Sequence, residues 1–374
     1  VKFKKLSVLH IINVRWFNAS AEYAIAISRY LKSSGHNILI VSKEGIPAID
    51  KARSSGLEVD TAVSFSPMNF FTDLIKLKQI CDKVTPDIIH AHHAEGHALS
   101  VALKRFFRGP KVIRTRVDIR APKRNLFNRI IHRNTDCIIV PGELIKRNVV
   151  STTGINPERV KVIYGGVDTE KFRSNGHSGI EFRRLHGIPE DAITIGLLAR
   201  LDPVKGHLFF IKLARELKSI FSGLKFVVVG KDAEYKRNDL IIKAEKAGIG
   251  KDIIYTGFVD NVASAINSFD ICVLSSLGSE AHPRVLFEYM ACAKPVVASR
   301  VGIVNEIIDN GINGLIAEPA DVNSYIEKIK SLVLSPEKRR ELGAEARKKI
   351  EKNFAIDKFV KMVEELYFKV RGEM

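Results

Sequence analysis

The 374-residue sequence lacks several things that would settle its class at once. It has no run of eighteen apolar residues, which excludes a membrane-spanning helix. Its four cysteines (Cys81, Cys137, Cys272 and Cys292) include no close pair, which argues against a zinc knuckle. Cys137 and Cys272 stand inside apolar, strand-like runs and read as buried thiols in a reducing compartment rather than a disulfide framework. No DxD or DxH pair occurs, so a Mg²⁺- or Mn²⁺-held diphosphate would lack its usual acidic ligands. HExxH, GxxxxGK[ST] and GxSxG are absent, which removes common hydrolase and ATPase readings. There is no tandem repeat and no low-complexity tract.

What is present is a large apolar fraction, 45%, enough for two α/β domains. The N-terminal run Leu6–Ile12 is short and is followed at once by Asn13 and Arg15; it reads as a first buried strand, not a targeting peptide. The net charge of +17 is lopsided. Residues 1–175 carry 29 Lys or Arg against 15 Asp or Glu, whereas residues 176–374 carry 30 against 27. Between Lys104 and Arg133 there are eleven basic residues and one acid, Asp118. Such a surface suits an anionic membrane, an anionic polysaccharide or nucleic acid. The tract lacks the regular aromatic interleaving of a base-stacking surface, so no nucleic acid is expected.

Strand and helix patterns alternate through both halves, as parallel sheets covered on both faces require. The polar segment 173–190, with three glycines and a proline, breaks the rhythm. The expected organisation is a first Rossmann-like domain at 1–172, a linker at 173–190, and a second Rossmann-like domain at 191–354. A helix at 355–374 would pack back on the first domain. Ligands of such open sheets bind at the carboxyl ends of the strands.

Three segments carry candidate chemistry. In Ser275–Ser299 an apolar strand runs into a polar loop holding Glu280, and Pro283 suits the first turn of a following helix. The free amides of that turn suit a diphosphate, and Glu288 lies one turn beyond Arg284 on the same face. In Gly196–Ala214 a strand ends at Arg200, and Lys205 follows after a short loop. Two cations placed there would hold and neutralise a departing pyrophosphate. Gly230 and Gly257 end successive strands and mark the same sheet edge.

The runs ARLDPVKG, IYGGVDTEKF and SEAHPRVLFEYMACAKPVVASRVGIVNEIIDNGINGLIAEPAD resemble the retaining glycosyltransferase family 4. The resemblance covers nearly the whole chain and is strongest from about 160 to 325. It implies an α/β protein of GT-B fold, two Rossmann-like domains facing a central cleft. It also implies a retaining hexosyl transfer from a UDP- or GDP-sugar to a hydroxyl of a glycan or lipid-linked acceptor in cell-envelope polysaccharide synthesis. The nucleotide sugar is a substrate, and neither a cofactor nor a metal is expected. The catalytic group it implies is His92, Arg200, Lys205 and Glu280, with His92 the best match in DIIHAHHAEG, His93 able to exchange roles with it, and His90 in the core. Donor-binding positions carried over are Asn18, Ala19, Gly230, Gly257, Phe258, Ala281, His282, Pro283, Arg284, Val285 and Glu288.

The chain departs from the family pattern in several places. WFNASAEYA stands where the family often has two glycines, and Ala281-His282 where it often has Gly-Phe. His282 would either touch the sugar or fill the phenylalanine position. Gly165 replaces the usual asparagine, and Arg116 a frequent histidine. An alternative of the same fold is a nucleotide-sugar epimerase; a nucleic-acid-binding protein is the non-enzymatic one. The expected location is cytoplasmic, peripheral on the inner face of an anionic membrane.

Overall fold

The computed structural model describes residues 5–14 and 19–373. The chain divides into two compact units. One runs to Gly165 and includes the chain from Asp357 onward; the other is Gly166–Ile356.

The first unit is a seven-stranded parallel sheet. Its elements in chain order are β1 (Ser7–Ile11), α1 (Ala19–Ser33), β2 (Asn37–Val41), α2 (Pro47–Ser54), β3 (Glu58–Asp60), α3 (Phe70–Val84), β4 (Ile88–Ala91), α4 (Ala94–Phe107), β5 (Lys111–Thr115), α5 (Leu126–Arg133), β6 (Cys137–Val140), α6 (Glu143–Thr153) and β7 (Val160–Val162). The strand order β3-β2-β1-β4-β5-β6-β7 reverses direction between β1 and β4. The sheet is buried on both faces. Leu9, Ile11, Leu39 and Ile89 pack with Leu74, Leu77 and Leu99 of α3 and α4 on one side. Ile12 and Ile40 pack with Ala24 and Ile25 of α1 and with α2 on the other. Two-sided burial is why these strands read as continuous apolar runs rather than alternating ones.

The second unit holds α7 (Gly176–Leu185), β8 (Ile193–Leu198), α8 (His207–Ile220), β9 (Leu224–Val229), α9 (Arg237–Lys246), β10 (Ile253–Gly257), α10 (Val262–Asn267), β11 (Ile271–Leu274), α11 (Arg284–Ala291), β12 (Val296–Ser299), α12 (Val304–Ile307), β13 (Leu315–Ala317), α13 (Val322–Val333) and α14 (Pro336–Asn353). Its six parallel strands are ordered β10-β9-β8-β11-β12-β13, again reversing between the first strand and the fourth. A final helix, α15 (Ile356–Arg371), starts at the unit boundary and runs in the first unit.

The structure differs from the sequence expectation at 173–190. That segment is not a linker: it carries α7, which belongs to the second unit. The guanidinium of Arg183 donates to Thr194 Oγ1 and Asp270 Oδ2, both at 2.8 Å, tying α7 to the starts of β8 and β11. The helix buries only Gly179 and Phe182, so its sequence looks like a solvated connector. The chain changes units earlier, at Gly165–Gly166, and again at Ile356–Asp357.

Candidate active site

In each unit the candidate residues lie at the point where the strand order reverses, the place where open α/β sheets bind ligands. In the first unit that point lies between β1 and β4, and it is occupied by histidines. His10 and His90 are registered partners on the two strands, and His92 follows β4. All three are buried. His10 Nδ1 lies 3.1 Å from His92 Nε2. His90 uses both ring nitrogens, with Nδ1 2.5 Å from Tyr367 Oη and Nε2 2.7 Å from Thr115 Oγ1. Tyr367 comes from α15, so the last helix of the chain helps hold this cluster. Burial pushes its hydroxyl well above the usual phenol range, which keeps it protonated and able to donate. A hydroxyl donating to Nδ1 leaves the proton of His90 on Nε2, directed at Thr115.

Burial pulls His10 down to about 3, and it pulls His90 and His92 well below the ordinary imidazole value, helped by the neighbouring histidines and Arg114. These rings are therefore neutral at pH 7, each with one donor and one acceptor nitrogen. Among the described residues, His10 Nε2 and His92 Nδ1 are buried without a hydrogen-bond partner. One nitrogen from each of the three rings lies within 4.8 Å of the others, close enough to consider a metal. Both nitrogens of His90 are already hydrogen-bonded, and His10 Nδ1 and His92 Nε2 bond each other, which leaves His10 Nε2 and His92 Nδ1 as the ring nitrogens of the cluster with no partner among the described residues.

His93 behaves differently. It caps α4 and pairs with Glu95 at the surface. Arg114, buried on β5, reaches the carbonyl of Ala91 at 3.2 Å, and burial lowers it to about 9.

In the second unit the reversal lies between β8 and β11. After β8 the chain passes Arg200 and Asp202 and makes a tight turn, Pro203–Lys205, before α8. Gly206 closes the turn at φ +75°, and a Cβ there would sit 2.1 Å from the carbonyl oxygen of Ser275. Only glycine allows this turn to lie so near the end of β11. The turn brings Lys205 Nζ to 2.6 Å from Glu280 Oε1. Ser276 Oγ donates to the same carboxylate oxygen at 2.5 Å. Glu280 is 4% exposed and Lys205 27%. Arg200 has an exposed side chain whose Nε donates to Asp202 Oδ2 at 2.6 Å, while its carbonyl lies 2.9 Å from His207 Nε2.

Helix α11 is set by Tyr289, whose hydroxyl accepts from the backbone N–H of Leu198 at 2.6 Å. On its outer turns Arg284 Nε donates to the buried Glu288 Oε1 at 2.7 Å, the one-turn pairing read from spacing. Ala281 is buried, Pro283 is the cap residue of α11, and Val285 lies in its first turn. The ring of His282 packs edge-on to Phe287, with centroids 5.9 Å apart, and desolvation lowers it to about 4. That packing is what a phenylalanine would do there.

Gly230 has a cause the sequence did not reveal: a Cβ there would come within 1.8 Å of the Ala199 carbonyl oxygen, so close packing of strand ends demands glycine without any ligand. Phe258, just beyond β10, is exposed. Asn18 lies outside the described residues. Ala19 is described only as the first residue of α1, and its side chain lies outside them.

The structure brings together Lys205, Glu280 and Ser276 in one cluster, Arg284 with Glu288 in a second, and His92 with His10 in a third. His10, Ser276, Asp202 and Tyr367 were not foreseen. A histidine inside the fully apolar run of β1 was the one available signal, because an uncharged polar ring needs a partner when buried.

Comparison with known proteins shows the family and the fold. Residues 20–171 match the family described as Glycosyltransferase Family 4, and residues 180–349 match Glycosyl transferases group 1. EpsD of Bacillus subtilis (strain 168), a glycosyltransferase by name, is 31% identical over 302 residues, covering 76% of this chain and 77% of EpsD. The Escherichia coli UDP-Gal:alpha-D-GlcNAc-diphosphoundecaprenol alpha-1,3-galactosyltransferase is 23% identical over 97% of both chains. HepE of Anabaena, solved in complex with UDP, superposes with a TM-score of 0.88 at 17% identity, over 97% of this chain and all of HepE. The protein is a glycosyltransferase of the GT-B fold and belongs to glycosyltransferase family 4.

Proposed function

We propose that the protein transfers a hexose, with retention, from a UDP- or GDP-sugar to a hydroxyl of a glycan or lipid-linked acceptor in envelope polysaccharide synthesis. The observation that carries this is the Lys205–Glu280–Ser276 cluster at the β8/β11 reversal, beside the exposed Arg200. Cations fixed at a strand end meet the charge that develops on a leaving diphosphate. Glu280 would meet the donor sugar, and Ala281, His282, the cap residue Pro283 and the first-turn residue Val285 would lie along sugar or phosphate oxygens. Glu288, held by Arg284, would accept from the ribose hydroxyls, with Gly230, Gly257 and Phe258 along the nucleotide. His92 would act on the acceptor side. The acceptor hydroxyl would attack from the face the nucleotide leaves, and a departing phosphate oxygen would take its proton. The complexes and names of HepE and the Escherichia coli enzyme support a uridine donor and a lipid-linked acceptor.

We further propose a peripheral contact with an anionic membrane at the cytoplasmic face. No helix among the described residues is long and apolar enough to cross one. The support is the basic tract from Lys104 to Arg133 and the helix α5 within it. Phe127 is exposed there, but Ile131, which spacing places on the same face, is buried against Val101 and Val112; Leu126 and Ile130 are the exposed apolar neighbours instead.

A thermal-shift screen of UDP- and GDP-sugars, followed by donor turnover with and without lipid-linked acceptors, tests the main reading. Stabilisation by one donor and turnover that requires acceptor are expected. Turnover to an isomerised donor without acceptor would replace it with epimerisation.

A further inference from the structure

Helices α3, α4 and α5 of the first unit surround an apolar pocket of about 300 Å³. That volume is at the small end of the range for ligand cavities, about 300–1,000 Å³. Phe65, Phe70, Ala98, Leu99 and Phe127 line it. Two acids also reach the wall, and both are already engaged. Asp73 accepts from the Ser64 N–H and hydroxyl at 3.0 and 2.8 Å, and Glu95 pairs with His93. The wall therefore offers a ligand hydrocarbon contact and little else.

The same helices expose an unusual amount of apolar surface. Phe71 and Ile75 of α3, Phe106 of α4, and Leu126, Phe127 and Ile130 of α5 are each more than half exposed. Exposed apolar groups gathered in this way mark a binding surface rather than ordinary solvent contact. Lys123, Arg124 and Arg129 flank Phe127, all exposed, in a tract with a single acid. An apolar slot with one wall, Phe127, taken from a segment rich in exposed cations matches a molecule with a hydrocarbon chain and an anionic head. A second copy of this chain is a poor match, because the same positive surface would face itself.

We propose that this pocket holds the hydrocarbon chain of a lipid phosphate, the carrier of the acceptor, with the phosphate head toward Lys123, Arg124 and Arg129. The proposal rests on the lipid-linked acceptor reading and adds where the lipid goes. Ala94, at the first turn of α4, also lines the pocket, so chain binding places the acceptor close in sequence to His92 and His93.

The test is calorimetric binding of farnesyl phosphate, with farnesol and inorganic phosphate as the separate chain and head controls, all below micelle formation. Farnesyl phosphate should bind at least tenfold more tightly than inorganic phosphate. Ala94→Phe, on the exposed rim, and Ala98→Phe, deeper in, should each weaken it at least tenfold. Lys123→Ser with Arg124→Ser and Arg129→Ser should reduce farnesyl phosphate affinity but not farnesol affinity. Melting temperature and UDP affinity, measured on every variant, show that the fold and the second unit are intact. Equal affinity for farnesyl phosphate and inorganic phosphate would overturn the proposal, as would wild-type binding in both Ala94→Phe and Ala98→Phe. So would a dimer in sedimentation that these two phenylalanine variants dissociate. UDP affinity is read separately, so a failed donor reading leaves the pocket result standing, and the reverse also holds.

Discussion

Replacing Lys205 with methionine should damage stability and catalysis by separable amounts. The ammonium is 2.6 Å from a carboxylate that is 4% exposed. Methionine keeps most of the stem but leaves the Glu280 charge with Ser276 as its remaining hydrogen-bond donor in this cluster. Removing one partner of a fully buried pair costs about 3–5 kcal/mol. Lys205 keeps about a quarter of its exposure, so water reaches the site, and about 2–3 kcal/mol is the expected loss. For a unit of this size that lowers Tm by about 4–12 °C. The catalytic loss should be larger, because a charge aimed at the leaving group acts only as the bond breaks. Deleting one such donor typically costs ~100- to 1,000-fold in kcat.

The double variant Lys205→Met/Glu280→Gln separates the two effects. A neutral amide no longer needs the ammonium, so most of the lost Tm should return while kcat stays low. The assay is kcat and KM for the donor alongside thermal melts of the wild type, both single variants and the double. Activity within a factor of two of wild type in Lys205→Met would refute the role of this cation. A double variant that recovers activity along with stability would show that Lys205 acts only by holding Glu280.

Three further outcomes are expected. Turnover should survive EDTA, since the sequence has no DxD pair and Arg200 and Lys205 would meet the diphosphate charge instead; loss of turnover restored by Mn²⁺ or Mg²⁺ would contradict this. Acid should destabilise the first unit: His10, His90, His92 and His97 have folded-state pKa values depressed below 6.5, to about 3 for His10, so the unfolded chain binds more protons between those limits. The stability present above pH 6.5 should fall as pH drops, by up to about 1.4 kcal/mol per pH unit from His10 as pH approaches 3 and in the same direction from the other three, and urea melts at pH 7 and 5 measure the slope. Tyr367→Phe removes the partner of His90 Nδ1 and should cost about 1–3 kcal/mol in chemical denaturation, whereas Tyr235→Phe, a partly buried tyrosine of the second unit, should cost less.

The sheets were legible because their strands are buried on both faces and read as uninterrupted apolar runs, such as CIIV and ICVL. Polar helices were not. Residues 336–353 form the longest helix among those described, α14, yet bury only Leu342, Gly343, Ala346 and Ile350. The acid pair Glu280 and Glu288 was legible as a spacing, because both lie within one loop–helix segment. Their partners were only partly so. Arg284 is one turn from Glu288, but Lys205 is 75 residues from Glu280 and meets it only because β8 and β11 are neighbours. The contact between His90 and Tyr367 spans 277 residues; the return of the last helix to the first domain was expected, but no local pattern says which of its residues meets His90. Gly230 shows the opposite failure: a real constraint was visible, but the carbonyl of Ala199 rather than a ligand explains it.

The two units place their polar residues at the same topological position and solve the electrostatics in different ways. Between β8 and β11 the chain keeps charges and pairs them, Lys205 with Glu280. Between β1 and β4 it buries three histidines and makes them neutral, hydrogen-bonded through one another, Thr115 and Tyr367. The difference is the more telling because the first unit is the strongly basic one. Its positive charge is concentrated in the tract around α4 and α5, while its strand reversal holds uncharged rings. On the proposed reading, uncharged hydrogen-bonding rings would suit a hydroxyl acceptor, whose proton must leave as it attacks, while the surrounding cations would suit an anionic carrier. The proposed division of labour would then follow from what each chain segment places at the reversal, on two sheets of nearly the same topology.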